Sequence, residues 1–248
     1  MCRHLAYLGP PVSLRGLLYD PPYSLVRQSW APRNMRGGGT VNADGFGVGW
    51  YAGDGDPVRY RRAAPIWGDV TLPALAAATL AGAVLAAVRS ATVGMPVQES
   101  AAAPFAEGRW LFSHNGVVRG WPDSVVPLAD RLPVRDLLTL DAPTDSALLW
   151  ALVRHRLRAD ADPAEAVAET VAEVSEAAPG SRLNLLLTDG RTVVASAVGH
   201  ALSVRATPDA VLLASEPVDD DPGWRSVPDR HLVVATSTSV RVRALAGA

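Results

Sequence analysis

The stretch SRLNLLLTDGRTVVASAVG, residues Ser181–Gly199, carries the clearest fold signal in the chain. Two runs rich in Leu, Val and Ala flank Asp189-Gly190, a dipeptide whose backbone preferences suit the tight turn of a β-hairpin. A hairpin pairs its strands antiparallel, whereas parallel strands need a long crossover connection. The segment therefore predicts part of an antiparallel sheet.

Two helices are predicted immediately before this hairpin. Thr144 or Asp145 offers N-cap chemistry ahead of the run ALLWALVRHRLRA. Asp162 as the cap and Pro163 at the first helical position begin the second helix. The apolar stripe of that helix consists of Val167, Val171 and Val174.

Further strand-like runs lie on both sides of the helices. In the first half they are FGVGWYA (Phe46–Ala52) and PVRYRRA (Pro57–Ala63), joined by a glycine-rich hairpin turn, and GRWLFSHNG (Gly108–Gly116). After residue 199 they are ALSVRA, AVLLASEP, HLVVATS and SVRVRAL. Strands, then helices, then hairpins predict an α+β fold with antiparallel pairing. No linker of convincing length divides the chain, so we expect a single domain over residues 2–248.

The composition excludes several chemistries. The chain has 248 residues, a formal net charge of −2 and one cysteine, and all 23 of its basic residues are arginine. Without lysine there is no Schiff-base or P-loop lysine, and with one cysteine there is neither an intrachain disulfide nor a Cys-rich zinc site. The near-neutral charge argues against a nucleic acid or an anionic membrane as partner.

One uncharged stretch, Leu72–Val88, approaches the lower length limit of a membrane span. It is mostly alanine and contains Pro73 and Gly82, so we expect a short buried helix, Gly82 just past its end, and a buried strand Val84–Arg89. The N-terminus lacks the pattern of a signal peptide. We therefore expect a cytoplasmic protein without a membrane segment.

The single thiol lies directly after the initiator methionine. If Met1 is removed, Cys2 carries both a thiol and a free α-amine with a pKa near 8, which can accept the thiol proton. The alternative reading is a small apolar residue at a chain end. By position alone, the alternative remains the simpler one.

The segment FSHNGVV, Phe112–Val118, predicts a strand that ends in an Asn-Gly turn. There the Asn115 amide and the Gly116 N–H are donors of the kind that an oxyanion hole needs. An ordinary turn explains the same dipeptide. We expect His114 to point away from Asn115 and to have a structural role.

Two further segments offer groups for binding an amino acid. Arg89 and Thr92 in RSATVG follow a predicted strand, and an arginine can clamp a carboxylate with two parallel hydrogen bonds. A surface arginine at a strand end is the alternative. Asp145 in PTDSALL either caps the helix or faces a substrate ammonium.

Glycines alternate with larger residues in NADGFGVGWY, Asn42–Tyr51. No helix is predicted to follow, so this is not a dinucleotide-binding fingerprint. Gly45, Gly47 and Gly49 leave one strand face bare, and another backbone or a substrate can approach that face closely.

Together and in this order, these segments resemble the class II glutamine amidotransferases, which are N-terminal nucleophile (Ntn) hydrolases. The resemblance covers most of the chain and implies a four-layer α-β-β-α sandwich of two stacked, mostly antiparallel sheets. It implies that Cys2 is the nucleophile and that Asn115 and Gly116 form the oxyanion hole. It also implies that Arg89 and Thr92 hold the glutamate α-carboxylate and that Asp145 holds the α-amine.

Within this family, the strings MCRHLAYLGPP, VRSATVG, WLFSHNG and ASEP are similar to the γ-glutamyl hydrolases of ergothioneine biosynthesis. This implies hydrolysis of γ-glutamyl-hercynylcysteine sulfoxide through a Cys2 thioester, with no metal or organic cofactor. A chain ending at Ala248 leaves no room for a synthase domain, which favours hydrolysis over ammonia transfer within one chain. The alternative is a glutaminase subunit that delivers ammonia to a partner. A non-catalytic binding protein is a third alternative.

The resemblance also bears on partners and on the rest of the substrate. We expect a small-molecule γ-glutamyl substrate and either a homodimer or contacts with other enzymes of the pathway. A quaternary ammonium such as the hercynyl betaine favours an aromatic face. Trp50, with Trp30 and Phe46, is the candidate for that contact.

Overall fold

A computed structural model describes residues 2–35, 41–53 and 55–246 of the chain. The strands, in chain order, are β1 (Arg3–Ser13), β2 (Phe46–Trp50), β3 (Val58–Arg62), β4 (Leu80–Val88), β5 (Phe105–Glu107), β6 (Trp110–Val117), β7 (Arg182–Thr188), β8 (Val193–Ala197), β9 (Ser203–Ala206), β10 (Val211–Ala214), β11 (Arg225–Ser226), β12 (His231–Thr236) and β13 (Ser239–Ala244). The helices are α1 (Leu14–Leu18), α2 (Leu25–Gln28), α3 (Leu72–Ala78), α4 (Val126–Ala129), α5 (Val134–Leu138), α6 (Asp145–Arg158) and α7 (Pro163–Ala177). Three short 3-10 helices lie at Ile66–Gly68, Glu99–Ala101 and Asp123–Val125.

The strands form two antiparallel sheets. The seven-stranded sheet has the order β11-β9-β10-β1-β4-β2-β3, and the six-stranded sheet has the order β13-β12-β8-β7-β6-β5. The strand β1 lies in the middle of the larger sheet, antiparallel to both β4 and β10. The chain passes from one sheet to the other several times, because β9–β11 join the first sheet while β8 and β12 belong to the second.

Alternating side chains along the strands divide the interior into layers. In β1, Leu5 and Tyr7 pack against α1, α2 and α3, whereas Ala6 and Leu8 face the second sheet. In β7, Leu185 packs against α6 and α7, whereas Leu186 faces the first sheet. The arrangement is a four-layer α-β-β-α sandwich, which confirms the predicted α+β fold class.

The predicted helix starts are confirmed. Thr144 is the N-cap of α6, and its side chain accepts a hydrogen bond from the Ala147 N–H at 3.2 Å. Asp162 caps α7 by accepting from the N–H groups of Ala164 and Glu165, with Pro163 in the first turn.

Both predicted hairpins are present. Strands β7 and β8 pair antiparallel around a turn in which Gly190 has a φ of +85°, a conformation that favours glycine. Strands β2 and β3 pair antiparallel as well. Asp54, in the predicted turn between β2 and β3, lies outside the described residues.

The prediction for Gly82 is wrong. Helix α3 ends at Ala78, because Thr79 is already extended, and Gly82 lies inside β4 rather than after the helix. A Cβ on Gly82 would lie 2.7 Å from the Gly9 carbonyl oxygen. The glycine therefore allows β1 and β4 to approach closely near the register shift between Leu8 and Val12.

The prediction that β6 ends in an Asn-Gly turn is also wrong. Asn115 pairs with Asn184 and Gly116 pairs with Leu183, so the strand continues through both residues to Val117. A Cβ on Gly116 would lie 1.7 Å from the Arg182 carbonyl oxygen. The glycine is thus needed for the contact with β7 and not for a turn.

The bare face of β2 is covered by protein. A Cβ on Gly47 would lie 2.3 Å from the Ala103 carbonyl oxygen, and one on Gly49 would lie 2.6 Å from Leu111 Cδ1. Of the two options left open by the sequence, close approach of another protein segment is the one observed at these two positions. Gly47 and Gly49 let the second sheet lie close to β2.

The uncharged stretch from Leu72 to Val88 is divided between α3 and β4. Among the residues that the structure describes, none of the helices has the length and apolar character that crossing a membrane requires.

We expect Gly47→Ala to lower the free energy of unfolding by about 2 kcal/mol, because the added methyl group would overlap the Ala103 backbone and force the sheets apart. Urea-induced unfolding measures the change. Gly68→Ala is the matched control, since its Cβ would have its nearest neighbour at 4.0 Å. Equal stability of the two variants would contradict this account of the sheet contact.

Candidate active site

Cys2 lies at the open end of the cleft between the two sheets. It immediately precedes β1, and the alternation of that strand places it on the same side as His4 and Ala6, facing the second sheet. The thiol is free and half-buried, with Sγ 3.8 Å from the Ser90 carbonyl oxygen. The pairing of β1 with β4 therefore brings Cys2 to the segment that follows Arg89. Met1 lies outside the described residues.

Asn115 reaches the same cleft from the opposite sheet. Its side chain is fully buried on the face of β6 that meets the first sheet, and Nδ2 donates to Ser215 Oγ at 3.2 Å. Ser215 Oγ also accepts from the His4 N–H at 3.0 Å and lies 3.3 Å from the His4 carbonyl oxygen, to which it donates. A hydroxyl has one proton and two lone pairs, so all of its hydrogen-bonding capacity is used.

This Ser215 hydroxyl joins three strands at one point: the start of β1, the end of β6 and the end of β10. An amide Nδ2 carries two protons, and one of them is donated in the hydrogen bond to Ser215 Oγ. The second proton of Asn115 Nδ2 is left for another acceptor. Asn115 Oδ1 is buried and has no hydrogen-bond partner among the described residues.

His4 is a neutral group in this site. Complete burial lowers its pKa to about 3, and neighbouring His114, His200 and Arg3 act in the same direction. Its Nδ1 lies 3.1 Å from Ser113 Oγ on β6. This contact is a second link between the start of β1 and the second sheet.

Arg89 is held at the end of β4 by the backbone of the preceding β2 segment. The Arg89 N–H donates to the Gly45 carbonyl at 2.7 Å, and its carbonyl accepts from the Asp44 N–H at 3.0 Å. Asp44 Oδ2 accepts from the Ala91 N–H at 2.8 Å. Arg89 as a whole is 9% exposed, and its Nη1 donates to the Pro96 carbonyl at 2.9 Å.

Thr92 lies on an exposed turn beyond Arg89, closed by a hydrogen bond from the Met95 N–H to the Thr92 carbonyl at 2.9 Å. This turn lines a cavity of about 450 Å³. The other walls are Val117–Pro122, which follow Gly116, and Pro143, two residues before Asp145. The cavity thus joins three of the predicted segments.

Asp145 ties α6 to the end of β6. Its carboxylate is buried, with Oδ2 accepting from the Val118 N–H at 3.0 Å and Oδ1 accepting from the Ser146 N–H at 2.7 Å. The N-cap is Thr144, so Asp145 is not the capping residue. The carboxylate therefore lies at the N-terminal end of α6, beside the segment that lines the cavity.

His114 points toward the helices, as expected. Its Nε2 donates to the Arg182 carbonyl at 3.0 Å, and its Nδ1 lies 2.9 Å from Ser146 Oγ. Both ring nitrogens are engaged on the face of β6 opposite to Asn115. The side chain has a structural position.

The structure does not bring Trp50 into the site. Phe46 and Trp50 project from β2 into the core formed with α1, α2 and α3, on the face away from the cleft. This burial contradicts their prediction as betaine-binding residues. Trp30 is 43% exposed, and the Arg27 guanidinium lies over its ring at 4.3 Å.

Several residues near Cys2 were not assigned a position or contact from the sequence. Ser215 and Glu216 belong to the string ASEP, which was noted only as a similarity. Glu216 is 2% exposed and accepts from the N–H groups of Arg33 and Asn34 at 3.1 and 2.7 Å. The Arg3 guanidinium donates to the Asn34 carbonyl oxygen. The missing signal was β1 itself, because a strand at the N-terminus would have indicated what its neighbours bring to Cys2.

Comparison with known proteins identifies similar families and chains. The family model of class II glutamine amidotransferases matches residues 14–211. A γ-glutamyl-hercynylcysteine sulfoxide hydrolase of Mycolicibacterium smegmatis is 46% identical over 246 residues, covering 99% of this chain and 100% of the relative. A protein of the same name from Mycobacterium tuberculosis is 44% identical, covering 99% of this chain and 97% of the relative.

Solved structures share the fold. A glutamine aminotransferase class II domain protein from Silicibacter pomeroyi superposes with a TM-score of 0.71 at 24% identity, covering 99% of this chain and 100% of that one. The glutamine phosphoribosylpyrophosphate amidotransferase of Bacillus subtilis superposes with a TM-score of 0.73 at 13% identity, and 49% of that longer chain is covered.

Proposed function

The chain belongs to the class II glutamine amidotransferases, and on that premise we propose that it hydrolyses the γ-glutamyl amide bond of γ-glutamyl-hercynylcysteine sulfoxide. The products are glutamate and hercynylcysteine sulfoxide. The observation that carries the proposal is the sequence identity of 44–46%, over 99% of the chain, to hydrolases of that name. The positions of Cys2, Asn115 and Arg89 at one end of the cleft support it.

The glutamyl half of the substrate occupies the cavity lined by Thr92, three residues after Arg89. The Arg89 guanidinium and Thr92 bind the α-carboxylate, and Asp145 binds the α-ammonium. These contacts hold the γ-carbonyl carbon at Cys2 Sγ. Such positioning contributes roughly 7–11 kcal/mol through effective molarity.

The reaction passes through a thioester. The Cys2 α-amine takes the thiol proton, Sγ bonds to the carbonyl carbon of the γ-glutamyl amide, and the Asn115 Nδ2 and Gly116 N–H groups stabilise the oxyanion. The amine then gives its proton to the leaving nitrogen as the C–N bond breaks. Water attacks the thioester, releasing glutamate and restoring the thiol.

This chemistry requires the α-amine of Cys2 to be free, and so requires removal of Met1. The chain contains no lysine. After removal of Met1, the Cys2 α-amine would therefore be the single primary amine in this sequence. Its reference pKa of about 7.7–8.0 suits a general base near neutral pH.

We expect the enzyme to release glutamate from γ-glutamyl-hercynylcysteine sulfoxide with a kcat/KM at least about 100-fold above that for glutamine, and Cys2→Ser to abolish most of both activities. Enzymatic determination of glutamate measures the rates, and intact mass spectrometry reports the loss of Met1.

Three results would contradict the proposal. Faster hydrolysis of glutamine would favour a glutaminase subunit that passes ammonia to a partner. Full activity of Cys2→Ser would exclude Cys2 as the nucleophile. An active enzyme that retains Met1 would exclude the α-amine as the base.

Arg89→Lys should raise KM at least about 10-fold with a smaller change in kcat, because a two-pronged guanidinium becomes a point charge. Steady-state kinetics with the γ-glutamyl substrate measure both constants. Arg109→Lys is the matched control, since Arg109 lies at the opposite end of β6 and pairs with Asp189 at 3.9 Å. An unchanged KM in Arg89→Lys would exclude the carboxylate clamp.

Ser215→Ala should lower kcat about 10-fold with little change in KM, because the freed Asn115 amide no longer holds its second proton toward the oxyanion. Ser196→Ala is the control: its hydroxyl is equally buried and bonds Leu183 and Leu185 on the other face of the second sheet. A kcat loss of the same size in both variants would show that Ser215 contributes to stability and not to the positioning of Asn115.

A further inference from the structure

A second group of residues lies beside the glutamyl cavity, at the start of β7. There β7 begins at Arg182, which pairs with Val117, while Asn184 pairs with Asn115. Leu183 and its alternate residues on β7 face the helices, so Arg182 and Asn184 project from the opposite face, the one that carries Asn115. Arg182 therefore lies at the mouth of the cleft, two residues before Asn184 and on the same face of β7.

Arg182 is the cation at the start of β7. Its Nε is buried without a hydrogen-bond partner, and no carboxylate forms an ion pair with its guanidinium within the described part of the chain. Burial and the nearby Arg119 both lower the pKa of Arg182. Arg182 and Arg119 lie near each other, and neither forms an ion pair among the described residues, so an anion would be stabilised there.

The neighbouring His200 adds no charge to this site. It is 3% exposed, and neither ring nitrogen has a hydrogen-bond partner among the described residues. Burial, together with the nearby charges of Arg182 and Arg3, lowers its pKa to about 3. The Asn184 side chain donates to the His200 carbonyl at 3.2 Å, so His200 lies beside the start of β7.

Space for a ligand adjoins Arg182. A cavity of about 760 Å³ is lined by Arg182 and by Val198 and Gly199 of the crossover from β8 to β9. Glu176 and Asp229 line the same cavity, but neither forms an ion pair with Arg182, and Asp229 Oδ1 accepts from the Gly199 N–H at 2.8 Å. The volume accommodates an amino acid with a substituted side chain.

We propose that Arg182 binds the α-carboxylate of the amino acid that leaves when the γ-glutamyl bond is cleaved. This inference rests on the proposed function. In a γ-glutamyl amino acid, the scissile nitrogen is bonded to the carbon that carries this carboxylate, so the anion lies beside the scissile bond. Glutamine has no such group, since its leaving group is ammonia. Arg182 thus makes the enzyme specific for γ-glutamyl amino acids.

The test compares two substrates that differ in one charge: γ-glutamyl-S-methylcysteine sulfoxide and its C-terminal carboxamide. A charge-assisted hydrogen bond contributes about 1.5–3 kcal/mol, which is roughly a 10- to 150-fold effect. We expect Arg182→Met to lower kcat/KM for the acid by about this factor and for the carboxamide by less than about 3-fold. Glutamate release measures both rates on the full-length enzyme.

The controls separate binding from folding. Arg135→Met removes an exposed arginine of α5 and should leave both rates unchanged. Should Arg182→Met fail to fold, Arg182→Gln keeps a polar side chain of intermediate length and should show the same selective loss. Circular dichroism and urea unfolding establish that each variant is folded.

The outcomes distinguish this inference from the proposed function. If the unmodified enzyme cleaves γ-glutamyl amino acids but Arg182→Met affects acid and carboxamide equally, the carboxylate site is refuted and the proposed function stands. If the unmodified enzyme releases glutamate from glutamine but neither from these substrates nor from γ-glutamyl-hercynylcysteine sulfoxide, both fail.

Discussion

The hydrogen-bonded pairing of β1 with β4 on one side and β10 on the other is the constraint on which the site depends. This pairing fixes the position of Cys2 along the sheet relative to Arg89, because Arg3 pairs with Val88. It also places Ser215, the residue after β10, beside His4. A shift of one residue would turn Cys2 toward the helices and Leu5 into the cleft. The register of β1 therefore determines both stability and the position of the thiol.

The same alternation organises the second sheet. On β6, Asn115 faces the cleft and His114 faces α6, so neighbouring residues have unrelated roles. On β7, Asn184 faces the cleft and holds the crossover loop by donating to the carbonyl groups of His200 and Ala201. Each sheet thus contributes one layer of cleft-facing polar groups at the open end, while apolar pairs close the rest of the interface.

Local chemistry in the sequence was sufficient for the two long helices α6 and α7 and for the two predicted hairpins, since the cap at Asp162 and the turn at Asp189-Gly190 each depend on a few neighbouring residues. It was insufficient for Asn115-Gly116, because a turn and a close strand contact favour the same dipeptide. Only the approach of the Arg182 backbone distinguishes them. The prediction for Trp50 was wrong for a related reason. The alternation of side chains along a strand shows that Phe46 and Trp50 share a face, but not which face meets the other sheet.

The roles of residues that act through long-range contacts could not be predicted from the sequence. Ser215 lies 211 positions from His4 and 100 from Asn115, and no local pattern marks a serine that bonds both. The family resemblance supplied the candidate residues of the glutamyl side, yet it supplied no role for ASEP or for Arg182. Those roles depend on which strands are neighbours, and β1 and β7 come together only in the folded chain.

The charges around the cleft favour the α-amine as the base. His4 and His200 are buried, and their pKa values of about 3 leave both neutral and poor acceptors near neutral pH. His114 has both ring nitrogens engaged on the far face of β6. The remaining cations are guanidinium groups, which do not lose protons in this range. None of these side chains is available as a base to take the proton of the Cys2 thiol. This supports the proposal that Cys2 itself, once Met1 is removed, supplies the acceptor.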